Sequence, residues 1–108
     1  MVRTSFAEYP AGGGRPASRH DDDMIIYVSG TGVRADYCDS EGHVIHYSVR
    51  TPKPGYAVFL SHAAAGEPRF RLTYTLTAED GLDGQFESAD PGTTAFKTYL
   101  TWHSRKIV

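Results

Sequence analysis

Five histidines and thirteen carboxylates are the residues of this 108-residue chain best equipped for chemistry. His43 and His46 stand three apart in His43-Val44-Ile45-His46. Two nearby imidazoles are a common start to a metal or haem site, but zinc wants three or four converging ligands. Within a strand, residues three apart point to opposite faces, so this pair cannot share an ion without a bulge. One of them could join His62 or His103 from another strand, yet no spacing brings the four together. The ordinary alternative is histidines that face solvent or hydrogen-bond locally, and no metal ligand is expected. Asp36 and His46 form the second pairing. If their segments make a hairpin, Asp36 and Arg34 face His46 and Ser48. That patch would orient a ligand, or supply an acid–base pair, if it lined a cavity. Facing water, it is a set of ordinary cross-strand pairs.

Other candidates are weaker. His20 with Asp21, Asp22 and Asp23 has the donors for a divalent cation, but an acidic run in a mobile loop fixes no ligand geometry. Cys38 sits beside Asp39 and Glu41, whose charge raises a thiol pKa and disfavours a nucleophile. No Gly-x-Ser-x-Gly, phosphate loop or dinucleotide fingerprint occurs. No catalytic residue and no cofactor is therefore expected.

The elements that would position these groups are short strands. The clearest is Pro68 to Leu76, where Phe70, Leu72, Tyr74 and Leu76 alternate with Arg69, Arg71, Thr73 and Thr75. That period of two marks a half-buried antiparallel strand. Leu72 is expected in the core and Arg71, opposite, to tolerate replacement. Around it the chain predicts strands at Met24–Val28, Val33–Cys38, His43–Arg50, Tyr56–His62, Leu82–Ser88 and Thr94 to about Ser104. Turn signals separate them at 29–32, 39–42, 51–55, 63–68, 78–81 and 90–92. Pro52 and Pro54 cannot donate to a ladder and mark a loop at the sheet's rim. With connections of about two to six residues and no helical period, the fold class is all-β. It is an antiparallel up-and-down meander of about seven strands, strongly curved or closed into a partial barrel.

Length allows one core. Residues 1–23 read as a flexible N-terminal segment, with 24–108 as the β domain. Met1 to Tyr9 has the pattern of a short strand, but Pro10 to Asp23 has linker composition, with three glycines and two prolines. A net charge of −2 with interspersed signs argues against nucleic acid. One cysteine excludes an internal disulfide. No run of about 18 apolar residues suggests a membrane span. No apolar secretory segment is evident, so a cytoplasmic location is expected.

Phe59, Phe70, Tyr74, Phe86, Phe96 and Trp102 all fall on predicted strands. Much of the later chain resembles small bacterial lipocalin-like, calycin-type β-barrels of unassigned function. The likeness lies in Ala35-Asp36-Tyr37 with Glu41 to Ile45, Pro68 to Tyr74, Gly84 to Glu87 with Asp90-Pro91-Gly92, and Ala95 to Trp102. It spans about residues 24–106 and implies a barrel with an internal pocket, carrying over no catalytic residues. Such proteins spend several dozen residues on opening strands before this point, often with an early tryptophan. Met1 to Asp23 takes that place here.

The expected function is non-enzymatic binding of a small apolar or amphipathic ligand. Its candidate site is a concave aromatic face carrying Phe70, Leu72, Tyr74, Phe86 and Trp102, with Asp36 and His46 as polar groups. Three alternatives stand beside it. One is an enzyme using Asp36 and His46 as an acid–base pair. Another is a haem-binding barrel of the nitrobindin kind, with His43, His46, His62 or His103 as axial ligand. The third is a structural or oligomerisation domain. The apolar run Met24 to Val28 has no charge or proline to discourage edge pairing. Val2 to Tyr9 could fold back on it as a substitute strand, or the last strand could close against it, but a homodimer through that edge is the expectation, direct or with exchanged N-terminal arms.

Overall fold

The computed structural model describes residues 1–77 and 81–105. It is an all-β, antiparallel meander whose strands follow one another in chain order. They are β1 (Val2–Tyr9), β2 (Ser18–Ser29), β3 (Gly32–Asp39), β4 (Val44–Lys53), β5 (Tyr56–Ser61), β6 (Arg69–Thr77), β7 (Gly81–Ala89) and β8 (Lys97–Arg105). The described residues contain no helix, hence none long and apolar enough to cross a membrane. The chain divides into two compact units, 1–46 and 47–108.

In the first unit the strand count departs from expectation. The segment expected to be a flexible linker is largely a hairpin. β1 pairs with β2 over eight consecutive positions, from Val2 opposite Ile25 to Tyr9 opposite Ser18. Gly12 and Arg15 exchange backbone hydrogen bonds of 3.0 and 2.9 Å. Between them Gly13 and Gly14 both hold positive φ, 56° and 79°. A two-residue turn with both centres at positive φ matches the right-handed twist of paired strands, and glycine reaches it without steric cost. The three glycines thus make a turn, and Ser18–Asp23 becomes the first half of β2.

The same hairpin corrects the expected open edge. Ile25 and Met24 pair with Val2 and Arg3 on one side and with Asp36 and Tyr37 on the other. Ile26 N–H donates to the Met1 carbonyl at 2.7 Å. Met24 to Ile26 are therefore occupied on both sides, and β1 is the edge strand of this unit. A second copy pairing directly along Met24–Ile26, as expected, would find those positions already taken by β1. Met24 and Ala35 form this unit's buried apolar centre.

The second unit follows the sequence more closely. β6 pairs with β5 and β7, and β7 with β8. Tyr47, Phe59, Leu72 and Ala89 are its buried apolar residues. β4 runs past the expected stop at Arg50 to Lys53, because the register shifts between those residues and leaves Pro52 outside the ladder. Pro54 and Gly55, the latter at φ 74°, then turn the chain into β5. The last strand starts at Lys97, later than Thr94. The turn expected at Ala78 to Gly81 lies mostly outside the described residues, and Gly81 itself opens β7.

Candidate functional site

Strand register decides which side chains of the second unit meet. Leu72 stands opposite Phe59 and Phe86, and Tyr74 opposite Ala57 and Gly84, which in turn faces Trp102. Phe70, Leu72, Tyr74, Phe86 and Trp102 thus share one face of this unit. The aromatic rings form a row of edge-to-face contacts. Tyr47 meets Phe59 at 6.0 Å between centroids, Phe59 meets Tyr74 at 5.7 Å, and Tyr74 meets Trp102 at 5.9 Å. Each such pair adds about 0.5–1.5 kcal/mol beyond area burial. Phe70 and Phe86 stack at 5.4 Å, and Phe86 meets Tyr99 edge-on. The indole of Trp102 covers Gly84 so closely that a Cβ there would collide with it. Glycine at 84 is what lets Trp102 lie flat across β7 and reach Tyr74.

Next to this row lies a groove of about 540 Å³. Ala57, Tyr74, Leu76 and Leu82 line it from the aromatic face, and Pro52 and Tyr56 from the ends of β4 and β5 that flank their turn. The size falls within the range of small-molecule sites, roughly 300–1,000 Å³. Lys53 is the one charged lining residue, its ammonium 5.0 Å from the Tyr56 ring centre. The other sheet face in this unit is polar. There Arg71 forms two 2.9 Å hydrogen bonds with Glu87 and lies over Phe96 at 4.2 Å. Hydrogen bonding to Glu87 holds the Arg71 guanidinium above its ordinary pKa. Arg71 is thus engaged, contrary to its expected tolerance.

The first unit carries a polar network that sequence reasoning missed. Arg3 and Ser5 each donate to Asp22 Oδ1 at 2.7 Å. His20 lies 3.5 Å from Asp22, 3.1 Å from Glu41 and 3.4 Å from the Tyr37 hydroxyl. Tyr37 donates to Asp39 Oδ2 at 3.0 Å, and His43 Nδ1 lies 2.9 Å from the same oxygen. Asp39 Oδ1 accepts from the backbone N–H groups of Glu41 and His43. The Asp39 side chain is 3% exposed. Burial alone would raise its pKa, but the bonds from His43, Tyr37 and Glu41 pull it down to about 2. His20 is raised, chiefly by its hydrogen bond to Glu41. The run Asp21-Asp22-Asp23 does not converge, because alternation turns Asp22 away from its neighbours and Asp21 binds Arg19 instead. Among the described residues, no group of three or more His, Cys, Asp or Glu is placed to hold a metal ion. The signal for this network was the Gly13-Gly14 turn, which sets the register that brings Arg3 and Ser5 to Asp22.

Asp36 and His46 do meet, at 2.7 Å, and this bond holds Asp36 below the usual carboxylate range. Both are exposed, at 42% and 63% of their side chains, on the face opposite buried Ala35 and Met24. Ser48, expected with them, bonds His62 at 2.5 Å instead. His103 bonds Asp83. Each of the histidines considered as haem ligands therefore has one ring nitrogen engaged by a side chain of its own unit. Comparison with known proteins returns nothing: no protein-family model, curated protein or solved structure matches this chain.

Proposed function

We propose that residues 47–108 form a non-enzymatic binding module for a small amphipathic molecule. The groove beside Tyr74 takes the apolar body, and the aromatic face of β5 to β8 extends the contact. The observation that carries this reading is the continuity of the two features through Tyr74, which both lines the groove and touches Trp102. Apolar surface left exposed there supports it: Leu76 is 64% exposed and Leu100 54%. Contiguous exposed apolar surface is unfavourable in water and commonly marks an interaction site. The resemblance to lipocalin-like proteins points the same way. Lys53 at the rim suits a ligand with one polar end.

Trp102 is the single tryptophan and so reports on the site. Titration with a fluorescent fatty-acid analogue should quench Trp102 saturably at one molecule per chain. Leu76→Asp, at an exposed position that leaves the core intact, should weaken binding about tenfold, since one buried apolar side chain contributes roughly 1.5–3 kcal/mol. Absence of saturable quenching, or equal binding by the variant, would refute this assignment.

A further inference from the structure

On the opposite face of β6, β7 and β8 lies a second groove, of about 570 Å³. Register sets its main lining in two rows, Thr73–Gln85–Thr101 and Thr75–Asp83–His103. Neighbouring groups in a row sit one strand spacing apart, about 4.8 Å, and the rows about 6.8 Å apart along the strands. The hydroxyls of Thr73, Thr75 and Thr101 make no hydrogen bond to another described residue. Thr73 is the most telling, because it is 8% exposed and still lines the groove. Its hydroxyl is not shut off from solvent, and with no partner among the described residues it opens into the groove. Gln85 donates to Thr98, which leaves its carbonyl oxygen as an acceptor.

We propose that this groove binds a neutral polyhydroxylated ligand, of the saccharide class. The lining contains no Lys or Arg, and Asp83 would repel phosphate or carboxylate. Asp83 is also its one carboxylate, already bonded by His103, so a polyamine finds no second acidic group. An apolar molecule would strand three hydroxyls without partners. Groups that both donate and accept match hydroxyls that do the same, and the volume takes a short oligosaccharide.

The test is amide NMR of the labelled full chain, titrated separately with maltotriose, cellotriose and chitotriose. At least one should move the amides of Thr73, Thr75, Gln85 and Thr101 saturably. Thr101→Val, which is isosteric and exposed, should weaken that sugar roughly three- to tenfold, the effect of one hydrogen bond. Thr73→Val should do the same, and Thr101→Val decides alone if the buried variant fails to fold. The proposal is overturned if no sugar moves these amides. It is equally overturned if inorganic phosphate or spermidine moves them instead, or if sugar binding is unchanged in Thr101→Val.

Discussion

The two units treat their polar groups in opposite ways. Within 1–46, polar side chains are gathered on the face that also carries Met24 and Ala35, where Asp22 and Asp39 each collect several donors. Within 47–108, the face of Leu72 is given to apolar and aromatic side chains, and the ion pair of Arg71 with Glu87 is placed on the other side. Hydrogen bonds are directional and consumed once made, whereas apolar contact is neither. A network whose acceptors are already filled is built to hold strands in register. A surface of rings and leucines retains capacity for a further molecule. That difference is why ligand binding is assigned to the second unit and strand fixation to the first.

The contrast can be broken most forcefully at Phe59, which is 3% exposed and touches both Tyr47 and Tyr74. Phe59→Ala should cost about 3–5 kcal/mol in denaturant unfolding. A loss near 1 kcal/mol would mean the aromatic row contributes little. In the other unit, Asp39→Ala removes a carboxylate that holds the turn into β4, and should cost about 1.5–3 kcal/mol, as charged hydrogen bonds do. Arg71→Ala should cost about 1–3 kcal/mol by leaving Glu87, 8% exposed, without its partner. Replacing both, as Arg71→Met with Glu87→Leu, should recover most of that loss. If the single variant were silent, the pair would be decorative.

The pH dependence separates the units more finely. Asp39 has a folded pKa below its unfolded value, so its contribution is complete above about pH 4 and disappears as pH falls through about 2. His20 is raised, so its contribution is complete below about pH 6.5 and disappears as pH rises through the raised value. Thermal melts from pH 2 to 8 should show greatest stability between these limits. Asp39→Ala should flatten the acid limb and His20→Gln the neutral one. The smallest effect belongs to Asp36→Ala, an exposed pair whose loss should be indistinguishable from wild type in the same melts.

How much of this was legible in the sequence follows the same divide. The period of two in Phe70, Leu72, Tyr74 and Leu76 needed only local alternation, and the face it implies is the observed one. Asp36 could be matched to His46 because a short hairpin joins their strands. The network of Arg3, Ser5, His20, Asp22, Tyr37, Asp39 and Glu41 joins residues up to 21 positions apart. Its existence depends on β1 folding back at Gly13 and Gly14, and a glycine run reads equally as a flexible linker or a tight turn. The role of Gly84 was hidden for a related reason. Only the register of β7 against β8 reveals that an indole must lie across it. Leu76 also misled slightly: it keeps the period but stays 64% exposed.

The most direct test of the division between a binding unit and a fixing unit is to map one ligand on both. An amide NMR titration with a fatty-acid analogue reports every strand at once. The account predicts saturable shifts at Ala57, Tyr74, Leu76, Leu82 and the Trp102 side chain, with His20, Tyr37, Asp39 and their neighbours unmoved. Shifts concentrated in 1–46, with the groove of Tyr74 silent, would contradict it.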